Sequence, residues 1–206
     1  MEDARLQRWL GVVGLIFVAL LVVSVVTSPS LPSAHSSGAK VVASLQSHKA
    51  ALRFSAVIIG VAVFEGLFFF WYLRDYLSEV PSNRRLATVG FAGVVVFAVA
   101  GGVGAGGRLA LADAVGHVDP TVMQALNVLQ NNLNAVLAGA GTAVFLVANG
   151  IATIRNGPLP RWQGWVAVVL GVIAIAAGAP AAALWILITS ITILLRAGRS
   201  TPAPAP

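Results

Sequence analysis

Glu65 is the one acidic residue set deep within a long apolar run, the segment from Ala51 to Leu73. An ionised carboxylate in hydrocarbon is costly, so the group should be protonated, paired or turned toward a polar cavity. A carboxyl so placed can carry a proton or bind a cation. It can equally be a neutral acid hydrogen-bonded to a neighbouring helix. Arg53 is no partner, because twelve residues along one helix is roughly 18 Å. A partner must come from another helix.

The segment from Val122 to Ile154 offers the nearest chemistry of that kind. Gln124, Asn127, Asn131 and Asn134 recur at spacings that put them on one helical face, with Gln130 and Asn132 flanking the stripe. Amides facing lipid would leave donors and acceptors unsatisfied, so the face must look into a bundle or a wet cavity. One reading is hydrogen-bonded glue between helices. The other is a polar pocket that holds a small molecule or a lipid headgroup. Glu65, Gln124, Asn127, Asn131 and Asn134 are therefore the expected intramembrane polar site.

Other constellations are weaker. His35, His48 and His117 fall on one side of the segments, with Asp113 and Asp119. Asp113 and His117 are four apart and could share a helical face, and histidine with carboxylate can ligate a divalent metal. No ligand spacing fixes such a geometry. Asp119-Pro120 ahead of an apolar run reads better as a helix N-cap with proline at the first helical position. Gly102, Gly104 and Gly107 spell G-x-G-x-x-G, but inside an apolar helix and without a preceding strand. Ala98, Gly102 and Gly106 instead form a small-residue ridge suited to close helix packing. No cysteine is present and no serine, lysine or carboxylate pair stands out as a catalytic centre, so no catalytic residue and no cofactor is assigned.

The elements that must position these residues follow from composition. Hydrophobic residues make up 58% and charged residues 10% of the 206-residue chain, against about 25% charged in soluble domains. The net charge of +6 is spread in ones and twos between apolar runs, which suits topology control rather than nucleic-acid binding. Arginine outnumbers lysine 11 to 2, a bias common where genomes are GC-rich.

A spanning helix needs roughly 20 mainly apolar residues. Six segments qualify, at about 9–26, 51–73, 86–111, 122–154, 162–177 and 180–195, giving an all-α membrane bundle in one domain, 1–199, with a disordered tail at 200–206. The apolar run of the first exceeds the core of a signal peptide, so it reads as a retained helix rather than one cleaved near Ser33–Ala34. Gly178, Ala179 and Pro180 supply the turn between the last two. From Lys40, the spacing of Val41, Val42, Leu45, His48 and Leu52 predicts an amphipathic helical stretch before the second span. Nine of the 13 Lys and Arg residues fall on one side and four on the other, which places both termini in the cytoplasm. Trp9, Trp71, Tyr72, Tyr76, Trp162 and Trp165 cluster at the same boundary, where amphipathic rings favour the headgroup level.

Asp119-Pro120, Gln124-Ala125-Leu126, Ala148-Asn149-Gly150 and the run from Leu159 to Trp165 resemble small six-helix membrane proteins of actinobacteria, grouped as domains of unknown function. His48-Lys49-Ala50-Ala51-Leu52-Arg53 and Phe68-Phe69-Phe70-Trp71-Tyr72-Leu73 are similar to the second helix of that group. The resemblance covers roughly residues 45–196, and it implies a six-helix protein and no activity. The expectation is a multi-pass protein of a bacterial plasma membrane, more a binding or assembly protein than an enzyme. Its outward-facing polar cavity would take a small ligand or lipid. The alternative is a small transporter or channel subunit in which Glu65 is the proton or cation site. The expected partners are the bilayer, a small molecule or lipid, and a second copy through the Gly-rich third helix. Nucleic acid is not among them.

Overall fold

The computed structural model describes residues 2–33 and 35–199, excepting the side chains of residues 2–7, 177, 198 and 199. The small residue Ala34 of the cleavage motif and the tail from Ser200 lie outside the described residues. Among the described residues there are seven α-helices, one short 3₁₀ turn and no strand. They are α1 (Glu2–Thr27), α2 (Gly38–Ser47), α3 (Lys49–Ser78), α4 (Arg84–Ala114), α5 (Pro120–Asn156), α6 (Arg161–Ala177) and α7 (Ala179–Arg199).

Five of these, α1, α3, α4, α5 and α7, contain stretches long and apolar enough to cross a bilayer. Helix α6 is equally apolar but has 17 residues, or about 26 Å at 1.5 Å per residue. The predicted amphipathic stretch is a separate helix, α2, broken from α3 at His48, whose φ of −115° and ψ of 15° are non-helical. Its Val41 and Leu45 are buried with Leu52, Leu111, Val115 and Met123 in a cluster of their own.

Local chemistry sets the ends. The Asp119 carboxylate accepts a hydrogen bond from the Thr121 N–H at 2.7 Å, with Pro120 opening α5. Gly178, at φ 59° and ψ −132°, joins α6 to α7 in a backbone conformation open to glycine and strained for other residues. Its N–H closes α6 on the Ala174 carbonyl at 2.7 Å. Gly116 ends α4 at φ 89°. His117 therefore lies beyond the helix, and the shared helical face expected for Asp113 and His117 does not form.

Packing arranges the long helices as a ring. Helix α1 packs on α3 and α7, α3 on α4, α4 on α5, α5 on α6, and α6 on α7. Gly11 lies against Leu194, so the first and last helices meet near the chain ends. The two halves of the ring's interior differ. Toward the chain ends it is filled by aromatic rings in edge-to-face contact, Phe17 on Phe70 at 5.3 Å, Phe70 on Phe145 at 5.0 Å, and Phe145 on Trp185 at 5.5 Å. Toward the α2 end the same space stays open.

Glycines let the backbones approach. A Cβ on Gly141 would lie 2.5 Å from the Phe97 nitrogen, and one on Gly93 2.6 Å from the Phe145 nitrogen. Those glycines seat α4 directly on α5. Gly150 and Gly164 do the same between α5 and α6. The expected ridge of Ala98, Gly102 and Gly106 is not used this way, since Gly102 and Gly106 face open space. In that part of α4 the packing glycines are instead Gly101, against Val63, Gly104, against Asn134, and Gly107, against Gln130.

Candidate functional site

Above the aromatic plug the ring encloses a half-open cleft of about 370 Å³, lined from five helices. Leu21, Ser24, Val25 and Val26 come from α1, Ile59 from α3, and Phe97, Gly101, Gly104 and Arg108 from α4. Asn134 and Ala138 of α5, with Ala179, Pro180 and Ala183 of α7, complete it. From Phe97 at its floor to Arg108 at its rim is eleven residues of helix, roughly 16 Å. The size falls within the range of about 300–1,000 Å³ typical of small-molecule sites. The walls are aliphatic, and the polar groups gather at the α2 end. Small residues open the space: a larger side chain at Gly101 or Gly104 would meet Val63 or Asn134.

Arg108 is the one charged residue in this lining. It lies six residues before the end of α4, roughly 9 Å below the helix terminus. Its Nη1 donates to the Ser55 hydroxyl of α3 at 2.9 Å and to the Ser28 hydroxyl beyond α1. Each serine donates onward to a backbone carbonyl, Ser55 to Leu52 and Ser28 to Ser24. The guanidinium is thereby fixed by neutral acceptors that are themselves fixed. Among the described residues no carboxylate pairs with it. The nearest acid on its own helix, Asp113, is held by Arg53 at 2.5 Å.

The expected amide site is distributed rather than gathered. Asn127 is fully buried and donates to the Pro32 carbonyl at 2.9 Å, pinning the loop after α1. Gln130 is buried and donates to the Gly104 carbonyl at 3.0 Å. Both act between elements of the chain. Gln124 and Asn132 border a shallow depression on the outer surface of α5. Asn131 is half-buried and touches neither site. Of the predicted set, Asn134 alone lines the cleft, one turn below Arg108 and beside Gly104.

Glu65 is not brought to the amides. Both carboxyl oxygens are shielded, neither has a hydrogen-bond partner among the described residues, and the residue is not part of the cleft lining. A buried polar group without a partner costs stability, whereas an apolar residue of similar shape there does not. Glu65→Leu should therefore unfold at the wild-type temperature or above it in detergent. A loss beyond about 2 kcal/mol would show that the carboxyl has a binding role in the fold.

The histidines do not converge. Among the described residues no three His, Asp or Glu side chains are placed to hold a metal ion. His35, His48 and His117 are all exposed, and the His48 ring nitrogen bonds instead to Ser47 and the Ser44 carbonyl.

A second polar belt runs through the other half of the bundle. Asn83 donates to the Ala152 carbonyl at 3.0 Å, the Trp185 indole to the Gln163 carbonyl at 3.1 Å, and the Gln163 amide to Thr192 at 2.5 Å. These bonds join elements of the chain. Sequence reasoning missed Arg108 as a site residue because, taken alone, it counts only as a topology charge. The available signal was Arg108 lying short of the end of an apolar span, with no acid at helical spacing before it.

No protein-family model matches the chain, and no curated protein or solved structure matches it either. What the chain does must therefore be argued from its own geometry.

Proposed function

We propose that the chain is a six-span protein of a bacterial plasma membrane, with both termini cytoplasmic, that binds an amphiphilic small molecule or lipid in its outward-facing cleft. The observation that carries this reading is the cleft itself, which is open, aliphatic along its depth and polar at one end. Such a gradient matches a molecule with a hydrocarbon body and a polar head. The orientation rests on the excess of arginine and aromatic residues at the end bearing the termini. Helix α6 counts as the sixth span because its 17 residues, most of them apolar, reach the lower limit for crossing. Open space beside Gly102 and Gly106 supports self-association through α4.

The test fills the cleft from its walls. Ala183→Trp and Ala138→Phe should each reduce the lipid retained by detergent-purified protein, counted by native mass spectrometry, by severalfold. Unchanged lipid retention in folded variants would remove the cleft as the binding site.

A further inference from the structure

Resting on the reading of the cleft as an amphiphile site, we propose that Arg108 makes it selective for lipids with an anionic phosphate headgroup. Three observations converge on this.

The first is the missing counter-charge. Arg108 lies below the helix end in a bundle whose acids at that end are already engaged. Asp113 is paired with Arg53 and Asp119 caps α5 through the Thr121 N–H. Glu65 begins ten residues deeper on α3 than Ser55, roughly 15 Å away along the axis. A guanidinium in a partly apolar setting is stabilised by an oxyanion, and the described residues supply none.

The second is the edge left for binding. A guanidinium carries five N–H donors in a rigid plane. The two serines accept from Nη1 alone. The Nη2–Nε edge, with parallel N–H groups, is the edge that grips two oxygens of a phosphate or carboxylate. The serines also orient that edge, since both hydroxyls are anchored to backbone carbonyls on different segments.

The third is what lies beneath. Below Arg108 comes Asn134, which can give or take a hydrogen bond at the level of a lipid's ester groups. Below that are Leu21, Ile59 and Phe97, which offer only apolar contact. Head, linker and chain are met in that order. A free phosphate would use the first and leave the rest unfilled.

The experiment uses the full chain in nanodiscs containing equal dioleoylphosphatidylglycerol and dioleoylphosphatidylcholine, with native mass spectrometry of lipid retained on the ejected protein. Wild type is expected to hold the anionic lipid in roughly tenfold preference, as one charge-assisted bidentate contact allows. Arg108→Gln should keep bound lipid but lose the preference, and Arg108→Lys should keep part of it, since ammonium supplies charge without the fork. Excess inorganic phosphate should not displace the lipid. If Arg108→Gln does not fold, Ser28→Ala with Ser55→Ala keeps the charge and should reduce the preference severalfold. Bound lipid without preference in wild type, a preference that survives Arg108→Gln, or displacement by phosphate alone would each overturn the inference and leave the cleft's binding role standing. Absence of any bound lipid would overturn both.

Discussion

Gly141→Leu is expected to cost at least about 3 kcal/mol and to leave little folded protein, whereas Gly102→Leu is expected to fold as well as wild type. Both positions are glycines in long apolar helices, so composition and helix propensity treat them alike. Their surroundings differ. A Cβ at 141 would lie 2.5 Å from the Phe97 nitrogen and 2.8 Å from the Gly93 carbonyl oxygen. Those are backbone atoms, which cannot rotate away, so α4 and α5 would have to separate along their most extensive contact. In a bilayer the loss is severe, because apolar surface gains little by leaving lipid and helix association depends on close packing. At Gly102 nothing lies within 4 Å, and leucine improves helix propensity by about 0.5–1 kcal/mol. Reversible unfolding in mixed micelles reads both. Equal effects of the two substitutions would refute the packing assigned to α4 and α5. If the open α4 face serves self-association, Gly102→Leu should also shift crosslinked protein toward monomer.

Trp185→Ala is expected to destabilise the bundle by about 3–5 kcal/mol, and Trp185→Phe by much less. Trp185 is fully buried and heads the largest of the fully buried side chains. Its ring closes the chain of edge contacts through Phe145 and Phe70 to Phe17, so that α7, α5, α3 and α1 meet on one aromatic stack. Alanine would leave a void that rigid helices cannot collapse to fill, and would strip the Gln163 carbonyl of its indole donor. Phenylalanine keeps a ring in the stack and loses that bond and a smaller part of the buried volume. The same variant should carry the open space of the cleft further into the ring. Apolar gas uptake by the folded protein should rise in Trp185→Ala and not in Trp185→Phe.

Much of the scaffold was legible from residues alone. The apolar runs lie inside α1, α3, α4, α5, α6 and α7, and the Asp119-Pro120 cap and the Gly178 turn form where local chemistry requires them. The helices extend past the expected bounds, as α1 from Glu2 rather than residue 9 shows, because polar residues can continue a helix beyond its apolar run. The candidate site was less legible. The amide stripe on α5 is real as a pattern, yet Asn127 and Gln130 spend their donors on Pro32 and Gly104. Asn134 alone of the stripe meets the cleft. Spacing reports which residues share a face of a helix. It does not report what stands opposite.

The sequence by itself determined that this chain is a set of long apolar helices with most of its charges near their ends, a composition that suits burial in lipid. It also determined that Glu65 and the amides needed an explanation. Only the tertiary structure decided that Glu65 finds no hydrogen-bond partner among the described residues, that the glycines of α4 divide between a packed and an open face, and that Arg108 stands at the rim of a cleft. Each of those depends on distances between residues far apart in the chain, such as Arg108 to Ser28 and Ser55. Local periodicity carries no information about such distances. They are set by which helices close the ring, and by how near their glycines let the backbones come.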